Sequence, residues 1–199
     1  MQYILVDTNP KLIEGWREFF RDIENVTIVE GDITEIKADA IASPANSFGF
    51  MDGSLDHAIS ERLGWALEKE LQNKIKALPE GELLVGNALM LETGDKLIPF
   101  LISAPTMRIP TNFNIDTSIN AYLAMKAILL KAQNEDRISS IAIPGLCTGV
   151  GRMHPMISAR QMFYAYEEVV FGKKLDFKNF GEAQKHHWNI NPQGMIWTH

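Results

Sequence analysis

The sequence is poor in cysteine: Cys147 stands alone among 199 residues. A single thiol cannot close an intrachain disulfide, which excludes a stapled secreted scaffold and points to a reducing compartment. Long apolar runs are also missing. No stretch of about 18 apolar residues occurs, so no membrane-spanning helix is expected. The opening MQYILVDTNP has neither a basic segment nor a long apolar core and does not read as a signal peptide. A cytoplasmic location is therefore expected. Positive charge is in deficit, with 19 Lys and Arg against 25 Asp and Glu, a formal net charge of −6. Such a chain has no global attraction for nucleic acid or for an anionic membrane. Any polyanion it binds must be held by local geometry.

What is present is an alternation of apolar runs and helical periodicities. Tyr3 to Val6 is a short buried strand by pattern, followed by a helix start in which Asn9 caps and Pro10 takes the first helical position. Leu12, Ile13, Trp16, Phe19 and Phe20 continue at helical spacing. Val26 to Val29 and Ala40 to Ala42 read as two further strands. Leu55, Ile59, Leu63, Leu67 and Leu71 predict one long helix from about Leu55 to Ile75. Leu83 to Leu91 and Leu97 to Ala104 read as strands separated by Thr93-Gly94-Asp95. Asp116 is placed to cap a helix running through Leu130, Ile138 to Ile143 is another apolar run, and Pro155 opens a helix through Ile157, Met162, Tyr166 and Val169. Strands separated by helices predict an α/β fold with a mixed, mostly parallel sheet covered on both faces. Ligands bind such sheets beyond the carboxyl ends of the strands. No repeat, low-complexity tract or linker interrupts the pattern. Residues 1–172 are expected to form one domain, and the polar, aromatic-bearing tail 173–199 is expected to pack on it.

Two segments carry the functional signal. Pro44 to Ser60, PANSFGFMDGSLDHAIS, leads from a strand into a helix and contains Gly49 and Gly53. Ile143 to Pro155, IPGLCTGVGRMHP, does the same with Gly145, Gly149 and Gly151 close together beside Thr148. Glycines let the backbone turn sharply and bring its N–H groups to an anion, and a following helix adds free N–H groups and a positive dipole end. A plain strand-to-helix loop also contains glycines, so one such segment is weak evidence. Two at equivalent junctions could face each other across one crevice. A dinucleotide fingerprint is incomplete, because His154 occupies its last glycine position, and no glycine precedes Lys-Ser or Lys-Thr as a P-loop requires.

Among single residues, Asp52 and Asp56 are rival carboxylates for acid–base work, and Asp56 has helix capping as its alternative role. His57, next to Asp56, could shuttle a proton but reads more simply as a solvated helical residue, and His154, at a helix entry, could contact phosphate or be a surface residue. Cys147 could pair with either as a nucleophile, although a cysteine among glycines more often fills space. Arg152 is the nearest candidate cation for a phosphate. His186 and His187 are adjacent rather than four apart, so no metal site is expected.

GDIT at Gly31 to Thr34, ADAIASPAN at Ala38 to Asn46, the glycine loop with Asp56, and PGLCTGVG at Pro144 to Gly151 follow one another in the order and spacing of the macrodomain family. Val85 to Thr106 is similar to that family's middle strands, and the resemblance spans roughly residues 26 to 171. It implies a three-layer α/β/α sandwich, here with an N-terminal β-α-β extension, that binds ADP-ribose without a cofactor. By this resemblance Asp32, with Ile33 beside it, would take a hydrogen bond from the adenine amino group. Gly49, Gly53, Ser54 and Leu55 on one loop and Cys147, Thr148, Gly149, Val150 and Gly151 on the other would wrap the diphosphate and nearby ribose. Asn46 would position the distal ribose, and Asp56 would be the working acid. The implied activity is hydrolysis of an ADP-ribose conjugate: ADP-ribosylated protein, O-acyl-ADP-ribose or ADP-ribose-1″-phosphate. The alternative is a module that binds ADP-ribose or a related nucleotide unchanged. Three departures bear on the reaction. Ser43 stands where the family's usual asparagine precedes Asn46 by three positions, the glycine run is diluted, and Gly151 stands where many members carry an aromatic.

Overall fold

Strands and helices alternate through residues 1–198, which are the residues the computed structural model describes. In chain order they are β1 (Gln2–Asp7), α1 (Pro10–Phe19), β2 (Val26–Glu30), a 3₁₀ turn (Ile33–Glu35), β3 (Ala40–Ser43), α2 (Ser54–Leu63) and α3 (Ala66–Lys76). There follow β4 (Leu89–Glu92), β5 (Phe100–Ser103), α4 (Asn120–Gln133), β6 (Ser140–Ile143), α5 (Pro155–Val169) and α6 (Phe180–Ile190). The first helix opens on its capping chemistry: Asn9 Oδ1 accepts from the Lys11 N–H at 3.1 Å, and Pro10 occupies the first turn, where no N–H is needed.

The strands form one sheet in the order β2-β1-β6-β3-β5-β4, with every pairing parallel except β4 against β5. Alternate side chains point to opposite faces. Tyr3, Leu5, Ala40 and Ala42 meet Leu12 and Trp16 of α1, Ile128 of α4 and Met162 of α5 on one face. Val6, Ile41 and Leu101 meet Ile59 of α2 and Leu67, Leu71 and Ile75 of α3 on the other. The result is a three-layer α/β/α sandwich. Each large apolar side chain buried in these two cores contributes about 1.5–3 kcal/mol relative to exposure. The parallel strands β1, β2, β3, β5 and β6 all end on the same edge of the sheet, which fixes where loops converge.

Three expectations are corrected. The helix foreseen over 55–75 is two helices, broken at Gly64, whose φ of +100° ends α2. The leucine spacing runs through the break because both helices press on the same face of the sheet. Asp116 does not cap α4, which starts at Asn120. Its Oδ1 instead accepts the His154 N–H at 2.7 Å and braces the start of α5. The stretches 83–91 and 97–104 pair only over Leu89–Glu92 and Phe100–Ser103.

In the tail, α6 is capped by Asn179, whose Oδ1 accepts from the Glu182 N–H at 3.0 Å. Its last residue, Ile190, is buried with the core on the α1, α4 and α5 side. Asn191 Nδ2 donates to the carbonyls of Asp116 and Ser118 at 2.6 and 2.9 Å. His186 Nε2 lies 2.8 Å from Glu168, a buried carboxylate that also accepts from Tyr122 Oη and Lys126 Nζ, each at 2.7 Å. No helix among the described residues is long and apolar enough to cross a membrane.

Candidate functional site

A cavity of about 500 Å³ opens at the carboxyl edge of the sheet. Each parallel strand delivers a wall. Asp7 to Asn9 follow β1, Gly31 to Ile33 follow β2, Pro44 to Asn46 follow β3, Thr106 and Met107 follow β5, and Pro144 and Gly145 follow β6. Both glycine segments reach it. The first contributes Phe50 and Asp52 to Asp56, and the second contributes Cys147 to Gly151.

The walls hold four carboxylates, Asp7, Asp32, Asp52 and Asp56, and no Lys or Arg. An anion held here must rely on backbone N–H groups, and these are available. Those of Gly53, Ser54, Leu55 and Asp56, at the start of α2, have no hydrogen-bond partner among the described residues. Neither do those of Thr148, Gly149, Val150 and Gly151. The α2 group carries the positive end of a helix dipole as well.

The first loop is fixed by side chains. Asn46 Oδ1 accepts the Phe48 N–H at 3.0 Å and its Nδ2 donates to the Phe50 carbonyl at 2.8 Å, so the Asn46 amide braces its own loop at the cavity wall. Glu68 of α3 accepts the Met51 N–H at 2.7 Å. Asp56 lies on the first turn of α2, 9% exposed, with Oδ1 accepting from Ser43 Oγ at 2.5 Å. Burial raises its carboxyl from the ordinary 3.8 to about 6. The Ser43 hydrogen bond opposes that rise and the Asp52 charge adds to it. Gly53, not Asp56, is the helix cap.

The second loop is fixed by its backbone. Met153 N–H donates to the Cys147 carbonyl and Arg152 N–H to the Gly149 carbonyl, both at 3.0 Å. Cys147 and Arg152 hold left-handed φ values of 66° and 48°. Side chains also reach the loop: Asp7 Oδ2 accepts the Gly145 N–H at 3.0 Å, Ser158 Oγ donates to the Leu146 carbonyl at 2.6 Å, and Asp116 Oδ1 accepts the His154 N–H at 2.7 Å. A side chain on Gly151 would meet the Cys147 carbonyl and Ile115, so the segment before α4 fills the space beside that glycine.

Asp32 caps the 3₁₀ turn, its Oδ1 accepting from both the N–H and the Oγ of Thr34 at 2.8 Å while the residue remains exposed on the cavity wall. Forming the turn therefore leaves Asp32 on the cavity wall. Gly49 is absent from the wall. It holds φ +74°, and a Cβ there would meet Leu71 and Ile75 at 2.9 Å, so this glycine lets the loop lie on α3.

The remaining candidates are otherwise engaged. Burial drives the Cys147 thiol far above its usual range, against a smaller opposing effect of its hydrogen bond with Thr106, and no contact with either histidine accompanies it among the described residues. A thiol so protonated is a poor nucleophile. The exposed His57 ring packs edge-on against Trp65, and His154 Nδ1 caps α5 by accepting the Met156 N–H. Arg152 lies off the wall and donates to the Asn112 carbonyl at 2.8 Å. Sequence reasoning overlooked Asp7, Thr106, Met107 and Pro110 as wall residues. For Asp7 a signal existed, because it ends a parallel strand.

A family model described as Macro domain matches residues 42–162. An uncharacterized protein of Aquifex aeolicus is 33% identical over 138 residues, 69% of this chain and 78% of its own length. A macro domain-containing protein of Listeria monocytogenes is 33% identical over 144 residues, covering 70% and 77% of the two chains. Among solved structures, the Oceanobacillus iheyensis macrodomain with ADP superposes with a TM-score of 0.57 at 23% identity, over 71% of this chain and 72% of that one. A variant of the same macrodomain with ADPR gives 0.58 at 22% identity, over 71% and 74%. At these identities the structural likeness is one of fold.

Proposed function

The chain belongs to the Macro domain family, and from that premise we propose that it binds ADP-ribose or a close derivative and hydrolyses an ADP-ribose conjugate. The conjugate is an ADP-ribosylated protein, O-acyl-ADP-ribose or ADP-ribose-1″-phosphate. The observation that carries this reading is the cavity between the glycine loops. Two sets of unpartnered N–H groups line a space without cations, and a buried carboxyl, that of Asp56, stands at its wall. Backbone N–H groups suit a diphosphate that must approach four carboxylates, because they attract without demanding a counter-charge. The Oceanobacillus iheyensis macrodomain, solved with ADP and with ADPR, supports the nucleotide assignment.

In this proposal Asp32, with Ile33 beside it, accepts from the adenine amino group. Gly53, Ser54 and Leu55 hold the diphosphate from one side, and Cys147 to Gly151 hold it with the proximal ribose from the other. Asn46 fixes the loop that receives the distal ribose, and Asp56 takes a proton from the attacking water. A carboxylate with a value near 6 is ionised at neutral pH and more basic than an ordinary aspartate, which suits that task. The ligand-binding unit is residues 1–172, with 173–199 as a tail packed on it. The protein works as a soluble cytoplasmic enzyme with no metal or cofactor of its own.

One observation favours a second reading, a binding module without turnover. The Asn46 amide, the residue expected to position substrate, is bonded within its own loop. Calorimetric titration with ADP-ribose, with AMP as the comparison, tests the shared premise. Saturable one-to-one binding, tighter for ADP-ribose, is expected, and no saturation by either ligand removes both readings. Product formation then separates them. Asn46→Ala and Asp56→Ala are expected to abolish turnover while ADP-ribose still binds, and full activity in both would overturn the site assignment.

A further inference from the structure

Ser43 occupies the last position of β3, in the middle of the sheet between β6 and β5. It is 0% exposed and is not part of the cavity wall. Its backbone is fixed by the β3–β5 register, which pairs it with Ser103, and its carbonyl accepts the Ala104 N–H at 3.0 Å. The side chain therefore cannot move far. A serine hydroxyl has one proton to donate, and this one goes to Asp56 Oδ1 at 2.5 Å, within the range of a charge-assisted O–H···O bond. Asp56 Oδ2 has no partner among the described residues.

We infer that Ser43 is a positioning residue for the site: from beneath the cavity its hydroxyl fixes the orientation of the Asp56 carboxyl and favours the ionised form. The inference rests on the reading of Asp56 as the working carboxylate. The surroundings make this bond matter. The elements around α2 carry acidic groups: Asp52 in the preceding loop, Asp32 and Glu35 at the 3₁₀ turn, and Glu68 on α3 beside Lys69, with the Glu68 carboxylate turned to the Met51 N–H. The Asp52 charge raises the Asp56 carboxyl further, on top of burial. No cation lines the cavity to oppose it, so beside the positive end of α2 the Ser43 proton is the side-chain group that does. Ser103 supplies an internal comparison. It is equally buried, lies opposite Ser43 in register, and its Oγ has no hydrogen-bond partner.

The test is a carboxyl-carbon NMR titration of the full-length chain labelled at aspartate, with the Asp56 signal assigned from Asp56→Asn. Ser43→Ala is expected to move the Asp56 midpoint upward by about one pH unit, the size of a lost hydrogen bond to a charged group. Ser43→Cys, which keeps the side chain's shape but donates weakly, is expected to move it the same way. Ser103→Ala is expected to leave it in place. An unmoved midpoint in both Ser43 variants overturns the inference. So does an equal displacement in Ser103→Ala, which would trace the effect to packing. The titration needs no substrate, so absence of turnover in the unmodified protein would remove the hydrolase reading without deciding this one. Where turnover is found, the acid limb of kcat/KM in Ser43→Ala moves to higher pH together with the NMR midpoint, and a fixed limb would also count against the inference.

Discussion

The two glycine loops look alike in sequence, each leading from a strand into a helix, yet they are held by different means. The first is tied by side chains: Asn46 to Phe48 and Phe50, Glu68 to Met51, and Ser43 to Asp56. The second is tied by its own carbonyls and by left-handed backbone at Cys147 and Arg152, and the side chains that reach in, Asp7, Asp116 and Ser158, bond only to its backbone. Consequently the first loop carries a group with tunable charge, and the second carries shape. A loop built from side chains can change its chemistry by single substitutions. A loop built from backbone can only be kept or broken.

Substitution at Asp56 sharpens that contrast most. Asp56→Asn is expected to lower turnover by about 10²- to 10⁴-fold, the usual worth of a positioned base. It should also stabilise the protein. The folded-state value of about 6 lies above the ordinary 3.8, so the folded chain holds this proton more tightly than the unfolded chain does. Stability is then undiminished below about pH 4, falls as pH rises toward 6, and stays reduced above it. Moving a carboxyl from 3.8 to about 6 corresponds to about 3 kcal/mol. Urea unfolding should therefore show Asp56→Asn gaining up to that amount at about pH 8 and nothing at about pH 4. Equal gains at both would refute the burial argument.

The second loop should respond in the opposite way, by breaking. At Gly145 an added Cβ would lie 2.3 Å from Leu12 Cδ2, 2.6 Å from Asp7 Oδ2 and 2.8 Å from Thr148 Oγ1. Gly145→Ala is expected to cost about 1–3 kcal/mol of stability at every pH and to weaken ADP-ribose binding with it. Unchanged thermal unfolding would show that the loop yields, and the contrast with the first loop would fail.

The layered sheet was legible because α/β patterning is local: Tyr3 to Val6, Ile138 to Ile143 and the Asn9-Pro10 helix start each announce themselves within a few residues. The break at Gly64 was hidden because α2 and α3 share a buried face, so leucine spacing continued where the helix did not. At the site, a glycine-rich stretch shows that a backbone turns sharply but not which neighbour demands the turn. Gly49 therefore looked like a ligand contact, although Leu71 and Ile75 sit behind it. Asp116 looked like a cap because its real partner, the His154 N–H, lies 38 residues away. Thr106, Met107 and Pro110 carry no local signature, since only the ends of strands converging in space bring them to the cavity.

Two glycines remain that packing does not require, one on each loop. Gly53 has φ −94°, and at both Gly53 and Gly149 an added Cβ meets nothing within 4 Å. Both line the cavity and both present unpartnered N–H groups. Packing asks for glycine at neither position, although Gly53 caps α2, where glycine is preferred to alanine; under the proposed function, close approach of a ligand to the backbone is a reason the two share. Gly149→Ala is therefore expected to leave unfolding within about 0.5 kcal/mol of the original protein, and Gly53→Ala to cost about 0.5–1 kcal/mol through the weakened cap. Each should weaken ADP-ribose binding by about tenfold, or about 1.4 kcal/mol, by calorimetry. Here alone the two loops should behave alike, because the ligand, and not the scaffold, makes the demand. Undiminished affinity in both would mean that the N–H groups hold the ligand from farther away than a methyl group can disturb. Loss of affinity in one alone would mean that the diphosphate rests on that loop and merely passes the other.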